Sequence, residues 1–289
     1  MNKRFLFLML PAASLIVLTA IVLGSRIVYP ATVHPSEVEP IFLIPGTHAS
    51  SDWFDAFSPR LHALHVGSAS VLKVEVSHTG VLSYAGAIDR TSRHPFIAVG
   101  FADNNENDID VDARWLDRVI RQLRHRLPFI HFQAIGHSNG GLILTLWLEN
   151  DSQKSAASLT RMVAISTPFN GIDTSANGRS VHFAALSKTT PLLKRLMRNR
   201  AAIPKQLALL NIAGHADNEQ GTDGVVPVQS VLAARLIFKG QIASYTENVI
   251  ESKAAEHVAI IQQTPERVLN SIQHFLYVKK VYRFQRDQV

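Results

Sequence analysis

The sequence predicts an α/β fold: a mostly parallel, twisted sheet with helices on both faces, preceded by an N-terminal hydrophobic helix. Three observations carry that expectation. Between residues 38 and 289 short apolar runs alternate with helically spaced ones, the signature of βαβ units. Most of the apolar runs stop at Gly or Pro. One of them, Phe129–Ile135, passes straight into Gly136-His137-Ser138-Asn139-Gly140 and then into the helical pattern Gly141–Glu149.

The elements follow in order. Ile41–Ile44 is a buried-strand run closed by Pro45-Gly46. Ser70–Val76 alternates with period two, and Gly80 turns the chain into a second strand, Val81–Tyr84. Phe96–Phe101 is another strand. From Asp108 to Leu127, Val111, Trp115, Val119, Ile120, Leu123 and Leu127 recur at helical spacing, and Pro128 closes that helix. After the serine turn, Arg161–Ile165 and Leu207–Ile212 read as strands, ended by Thr167-Pro168 and Gly214. Val228–Phe238 reads as helical, Gln241–Tyr245 as extended, and Pro265–Tyr277 as helical. In such sheets reactive residues gather at the carboxyl ends of the strands.

Composition narrows the class. A chain of 289 residues with 46% hydrophobic content supports one large core or at most two modest ones, and no Pro/Gly/Ser-rich linker or internal repeat divides it. It contains no cysteine, which excludes disulfides, thiolate metal sites and a cysteine nucleophile. The net charge of +6 suits an anionic cell-wall or lipid surface. Nucleic acid is disfavoured as a partner, because the Lys and Arg are scattered rather than striped with aromatics. Lys3 and Arg4 precede a run from Phe5 to Gly24 without a charge. At about 1.5 Å per residue that run just spans a bilayer core of about 30 Å. Residues 1–24 are therefore expected to be a membrane anchor, with a cleaved signal peptide as the rival reading. Residues 25–37 form a linker, and the basic flank places the rest outside the cytoplasm.

Ser138 is the centre of the chemical reading. A serine on a sharp strand-to-helix turn projects its hydroxyl from the sheet, and only small neighbours leave the backbone room. The hydroxyl needs an adjacent base. His182, His215, His257 and His274 follow it, and His257 occupies the loop expected of a base, after the last extended segment and before the Pro265 helix. Asp223, in Asp223-Gly224-Val225-Val226-Pro227, is placed to orient that imidazole. Asp217 is the competing acid, and an ordinary Asp-Gly turn the plainer reading of Asp223. Backbone N–H groups of Asn139 and Thr47, the latter beside Gly46, are the candidate oxyanion donors. His48, Trp53, Phe54 and His137 are candidate pocket residues, with core packing or a solvated loop as their ordinary roles. Residues 172–205 hold Pro191–Arg200, whose apolar face makes it a candidate cap or a helix packed on the sheet.

These residues, in this order, resemble the α/β-hydrolase superfamily over roughly residues 38–278. Within it, Val99-Gly100-Phe101, Pro168-Phe169-Asn170-Gly171 and Leu210-Asn211-Ile212-Ala213-Gly214 are similar to segments of a poorly characterised group of cell-surface hydrolases from Gram-positive bacteria. Two departures stand out. Many relatives carry His-Gly where this chain has Pro45-Gly46, and the surface group follows its histidine with Ser and Leu where this chain has Val258 and Ala259. The resemblance implies serine-dependent hydrolysis of a small-molecule or lipid ester, with no metal or cofactor. Acyl transfer by the same residues and a non-catalytic binding protein on the same scaffold are the rival readings. Oligomeric state is left open.

Overall fold

The structure is a computed structural model that describes residues 38–89, 91–102, 108–217 and 219–277. The expected anchor or signal segment and its linker lie outside them. In chain order the strands are β1 (Ile41–Ile44), β2 (Val71–Val76), β3 (Leu82–Gly86), β4 (Phe96–Phe101), β5 (His131–His137), β6 (Ser158–Ile165), β7 (Ala208–His215) and β8 (Ser244–Glu251). The helices are α1 (Ser58–Ala63), α2 (Ile109–Arg126), α3 (Asn139–Asn150), α4 (Thr174–Asn177), α5 (Pro191–Asn199), α6 (Val228–Leu232), α7 (Arg235–Phe238), α8 (Ala259–Gln262) and α9 (Glu266–Tyr277). Among the described residues no helix is long and apolar enough to cross a membrane.

The eight strands form one sheet in the order β3-β2-β4-β1-β5-β6-β7-β8. Only β3 runs antiparallel, through the hairpin that Gly80 opens at φ 75°. The central β1 and β4 are buried at every position, as strands covered on both faces must be. One core joins α2, α3, α5 and α7 to one face of the sheet. A second core seats α1, α8 and α9 on the other.

Local differences from the sequence reading have physical causes. The last strand is Ser244–Glu251, not Gln241–Tyr245. It is an edge strand, paired to β7 from Ala208↔Ser244 to His215↔Glu251, so backbone pairing rather than apolar alternation defines it. The helix expected over Val228–Phe238 is two helices. The buried Asn211 side chain of β7 donates to the Val231 carbonyl at 2.9 Å, engaging an acceptor that a continuous helix would offer to Arg235. The strand before the serine runs to His137 rather than Ile135, which brings the turn to the very end of the sheet.

Helix α3 anchors the site. Eleven of its twelve residues, Asn139 to Glu149, are buried, as expected for a helix apolar all round. Trp147 packs edge-on against Phe132 at 5.4 Å and donates its indole N–H to Asp117. At the far end Glu149 is 8% exposed, and burial pushes its carboxyl up to about 8 despite nearby Arg195. The sign is definite: between about pH 4.5 and 8 the unfolded chain releases this proton and the folded one keeps it, so stability falls as pH rises. Glu149→Gln is expected to leave stability at pH 4 nearly unchanged and to raise it at pH 8. The gain is bounded by about 1.4 kcal/mol for each pH unit of delayed ionisation. Urea unfolding of both proteins at the two pH values checks this, and an equal difference at both would refute it.

Candidate active site

Strand β5 ends at His137 and α3 begins at Asn139, so Ser138 alone makes the turn. Its backbone sits at φ 54°, ψ −127°, outside the regions that L residues prefer. Glycine makes this possible. A Cβ on Gly140 would lie 2.1 Å from the Ile44 carbonyl oxygen. A Cβ on Gly46 would lie 2.7 Å from Ser138 Cβ and 3.2 Å from its Oγ, so the loop after β1 packs directly on the serine. Ser138 is half-buried while its neighbours His137 and Asn139 are buried, which leaves the hydroxyl as the reachable group. As the residue capping α3, it also faces the positive end of the helix dipole, favourable to developing negative charge.

The imidazole beside that hydroxyl is His257, with Nε2 at 3.0 Å from Ser138 Oγ across 119 positions of chain. Its Nδ1 lies 2.8 Å from Asp223 Oδ2. A carboxylate only accepts, so Nδ1 carries the proton and Nε2 is free to take the serine's. The Asp223 side chain is fully buried. Its Oδ1 accepts N–H bonds from Val225 at 3.0 Å and Val226 at 2.7 Å. Burial opposes ionisation of Asp223, but the His257 bond and charge, with the Val226 N–H, outweigh it and hold the carboxyl below its ordinary value. Asp217, His182 and His274 are exposed, and no hydrogen bond joins them to the serine.

His137 holds His257 in place. Its Nε2–H donates to the His257 carbonyl at 2.9 Å, while the His257 N–H donates to the Asp223 carbonyl at 2.8 Å. The backbone of His257 is therefore held on both sides. Burial, then the neighbouring His257, pushes His137 down to about 3, so this donor stays neutral. Its ring stacks on Trp53 at 5.7 Å.

The remaining candidates fall in two groups. Thr47, His48, Trp53, His137 and Asn139 line one pocket with Ser138 and His257, with a volume of about 290 Å³. Within it Thr47 Oγ1 accepts from Asn139 Nδ2 at 2.7 Å, which ties together the two loops carrying the candidate oxyanion donors. Phe54 is a correction. It is 1% exposed, packs against Phe57 in the core and does not line the pocket. Trp53 and Phe54 share a 3₁₀ turn, whose successive side chains point about 120° apart, so one faces the pocket and the other the sheet. Helix α5 of the 172–205 segment places Leu193 and Leu196 in the core, whereas Ile172 at its start lines the pocket. Sequence reasoning missed Ile172, Val225 and Val258, although Val225 lies two positions after Asp223 and Val258 directly follows His257. Among the described residues no group of His, Asp and Glu is arranged to hold a metal ion.

A mostly parallel sheet with a serine at a strained strand–helix turn, hydrogen-bonded to an imidazole that is itself bonded to a carboxylate, is the arrangement of an α/β hydrolase. The chain belongs to the family described as "Alpha/beta hydrolase of unknown function (DUF915)", whose model matches residues 30–279. Two solved structures are similar to it. The product of gene lin2722 from Listeria innocua is 30% identical, with 85% of this chain and 96% of that one covered and a TM-score of 0.78. A protein named as a suspected cell surface hydrolase from Lactobacillus plantarum WCFS1 is 32% identical, covering 83% and 92%, with a TM-score of 0.69. No curated protein matches the chain.

Proposed function

We propose that this protein is an extracytoplasmic serine hydrolase that cleaves carboxylic esters through an acyl-enzyme. The observation that carries the reading is the hydroxyl–imidazole–carboxylate series at 3.0 and 2.8 Å, opening into a pocket. Ser138 Oγ attacks the ester carbonyl carbon as its proton passes to His257 Nε2, and the carbonyl π pair moves onto oxygen. Backbone N–H groups of Thr47 and Asn139 receive that oxyanion. As the tetrahedral adduct collapses, the bond to the leaving alcohol breaks and His257 returns the proton to it. Water repeats the sequence to release the acid and restore Ser138. Asp223 stays ionised and stabilises the transient imidazolium.

The location rests on the apolar, basic-flanked residues 3–24 and on the cell-surface name of the Lactobacillus relative. A fluorophosphonate probe that does not cross membranes tests both parts at once. Applied to intact cells, it is expected to label the peptide containing Ser138. Labelling only after lysis would overturn the location and leave the chemistry standing. A folded, purified protein that stays unlabelled would overturn the chemistry.

A further inference from the structure

Six large hydrophobic side chains are exposed among the described residues, and three of them stand around this one pocket: Ile172 at 49%, Val225 at 47% and Val258 at 53%. They come from three separate loops, after β6, beside Asp223 and beside His257. Two are held by the catalytic candidates themselves. Val225 donates its N–H to Asp223 Oδ1, and Val258 is the next residue after His257. An aliphatic side chain left half in water gains when a ligand covers it. Here all three line the pocket that also contains Ser138 and His257.

Two of the lining residues are tied together: His137 is 2% exposed and stacks on Trp53. No Lys, Arg, Asp or Glu lines the cavity, in a chain that carries 29 basic and 23 acidic residues. The cavity's volume of about 290 Å³ lies at the small end of the range for ligand pockets, which runs from about 300 to 1,000 Å³.

We infer that Ile172, Val225 and Val258 form an acyl-binding rim and that the substrates are esters of uncharged acyl groups of about four to six carbons. The inference rests on the ester-hydrolase reading and adds the substrate class to it. A shorter acyl group leaves the rim uncovered. A long one exceeds a volume of about 290 Å³ and trails into water. A terminal carboxylate finds no Lys or Arg in the lining to pair it.

The test uses p-nitrophenyl acetate, butyrate, hexanoate, decanoate, palmitate and monosuccinate with the wild-type protein and Ile172→Arg. In the wild type kcat/KM is expected to peak at butyrate or hexanoate and to fall about tenfold or more for palmitate and monosuccinate. In Ile172→Arg the monosuccinate-to-butyrate ratio of kcat/KM is expected to rise by about tenfold. Val225→Lys gives the same readout from a second lining residue should the first variant unfold, since its backbone N–H to Asp223 is kept. Rates that are flat or rise towards palmitate, or a ratio unchanged in both variants, overturn the rim. A protein that is labelled at Ser138 yet shows no optimum loses this inference alone, whereas one that is neither labelled nor active loses the underlying reading.

Discussion

Replacing Ser138 with Ala is expected to remove ester turnover by a factor on the order of 10⁵ to 10⁶ in kcat, with the protein still folded. The size of the effect follows from what remains. The variant keeps His257, Asp223 and the backbone donors but has no atom that can form the acyl bond, so only water attacking directly is left. The fold should survive because Ala fits the space that Ser138 occupies beside Gly46, and the turn's unusual φ of 54° strains both residues alike. A melting midpoint within about 3 °C of the wild type, roughly 1 kcal/mol for a domain of this size, makes the kinetic result interpretable. Activity within tenfold of wild type in a pure sample would end the nucleophile assignment.

Asp223→Asn is the more discriminating substitution, because it changes a proton rather than a shape. Asp223 Oδ1 accepts from the N–H groups of Val225 and Val226, so the amide must keep its oxygen there. Its NH₂ then faces His257 Nδ1, which has to accept. That forces the imidazole proton onto Nε2, the atom 3.0 Å from Ser138 Oγ, and a protonated Nε2 cannot take the serine's proton. The expected loss is about 10⁴ in kcat, with KM little changed, since the pocket walls are untouched. Nuclear magnetic resonance of the ring protons reports the tautomer directly. A loss below about tenfold, with the proton still on Nδ1, would show that the carboxylate does not set the base.

The strand–turn–helix around Ser138 was legible because its signals are local. An apolar run, glycines on both sides of a serine and a helical pattern lie within about twenty consecutive residues. The central strands were legible for the same reason: burial on both faces leaves unbroken apolar runs in β1 and β4. The edge strand β8 was misplaced because neither face has a clean apolar pattern: exposed Thr246 shares a face with Ile250, the strand's one buried residue, and Glu247 and Glu251 lie on the other. The Val228–Phe238 helix divides where the Val231 carbonyl accepts from Asn211, a side chain some twenty positions earlier in another element. Trp53 and Phe54 were read as a pair, and a turn of 3₁₀ helix sent them to different environments.

What the sequence determined by itself was the class: alternating strand and helix periods, and a serine between glycines at a strand's end, need only neighbouring residues to be recognised. What the tertiary structure decided was which imidazole reaches that serine, which side chains wall the pocket and how small it is. Ser138, Asp223 and His257 are separated by 34 and 119 positions in their two hydrogen bonds, and Ile172, Val225 and Val258 come from three loops. Such groups become neighbours only when the parallel strands align their carboxyl ends along one edge, and no period or motif within a single segment encodes that meeting.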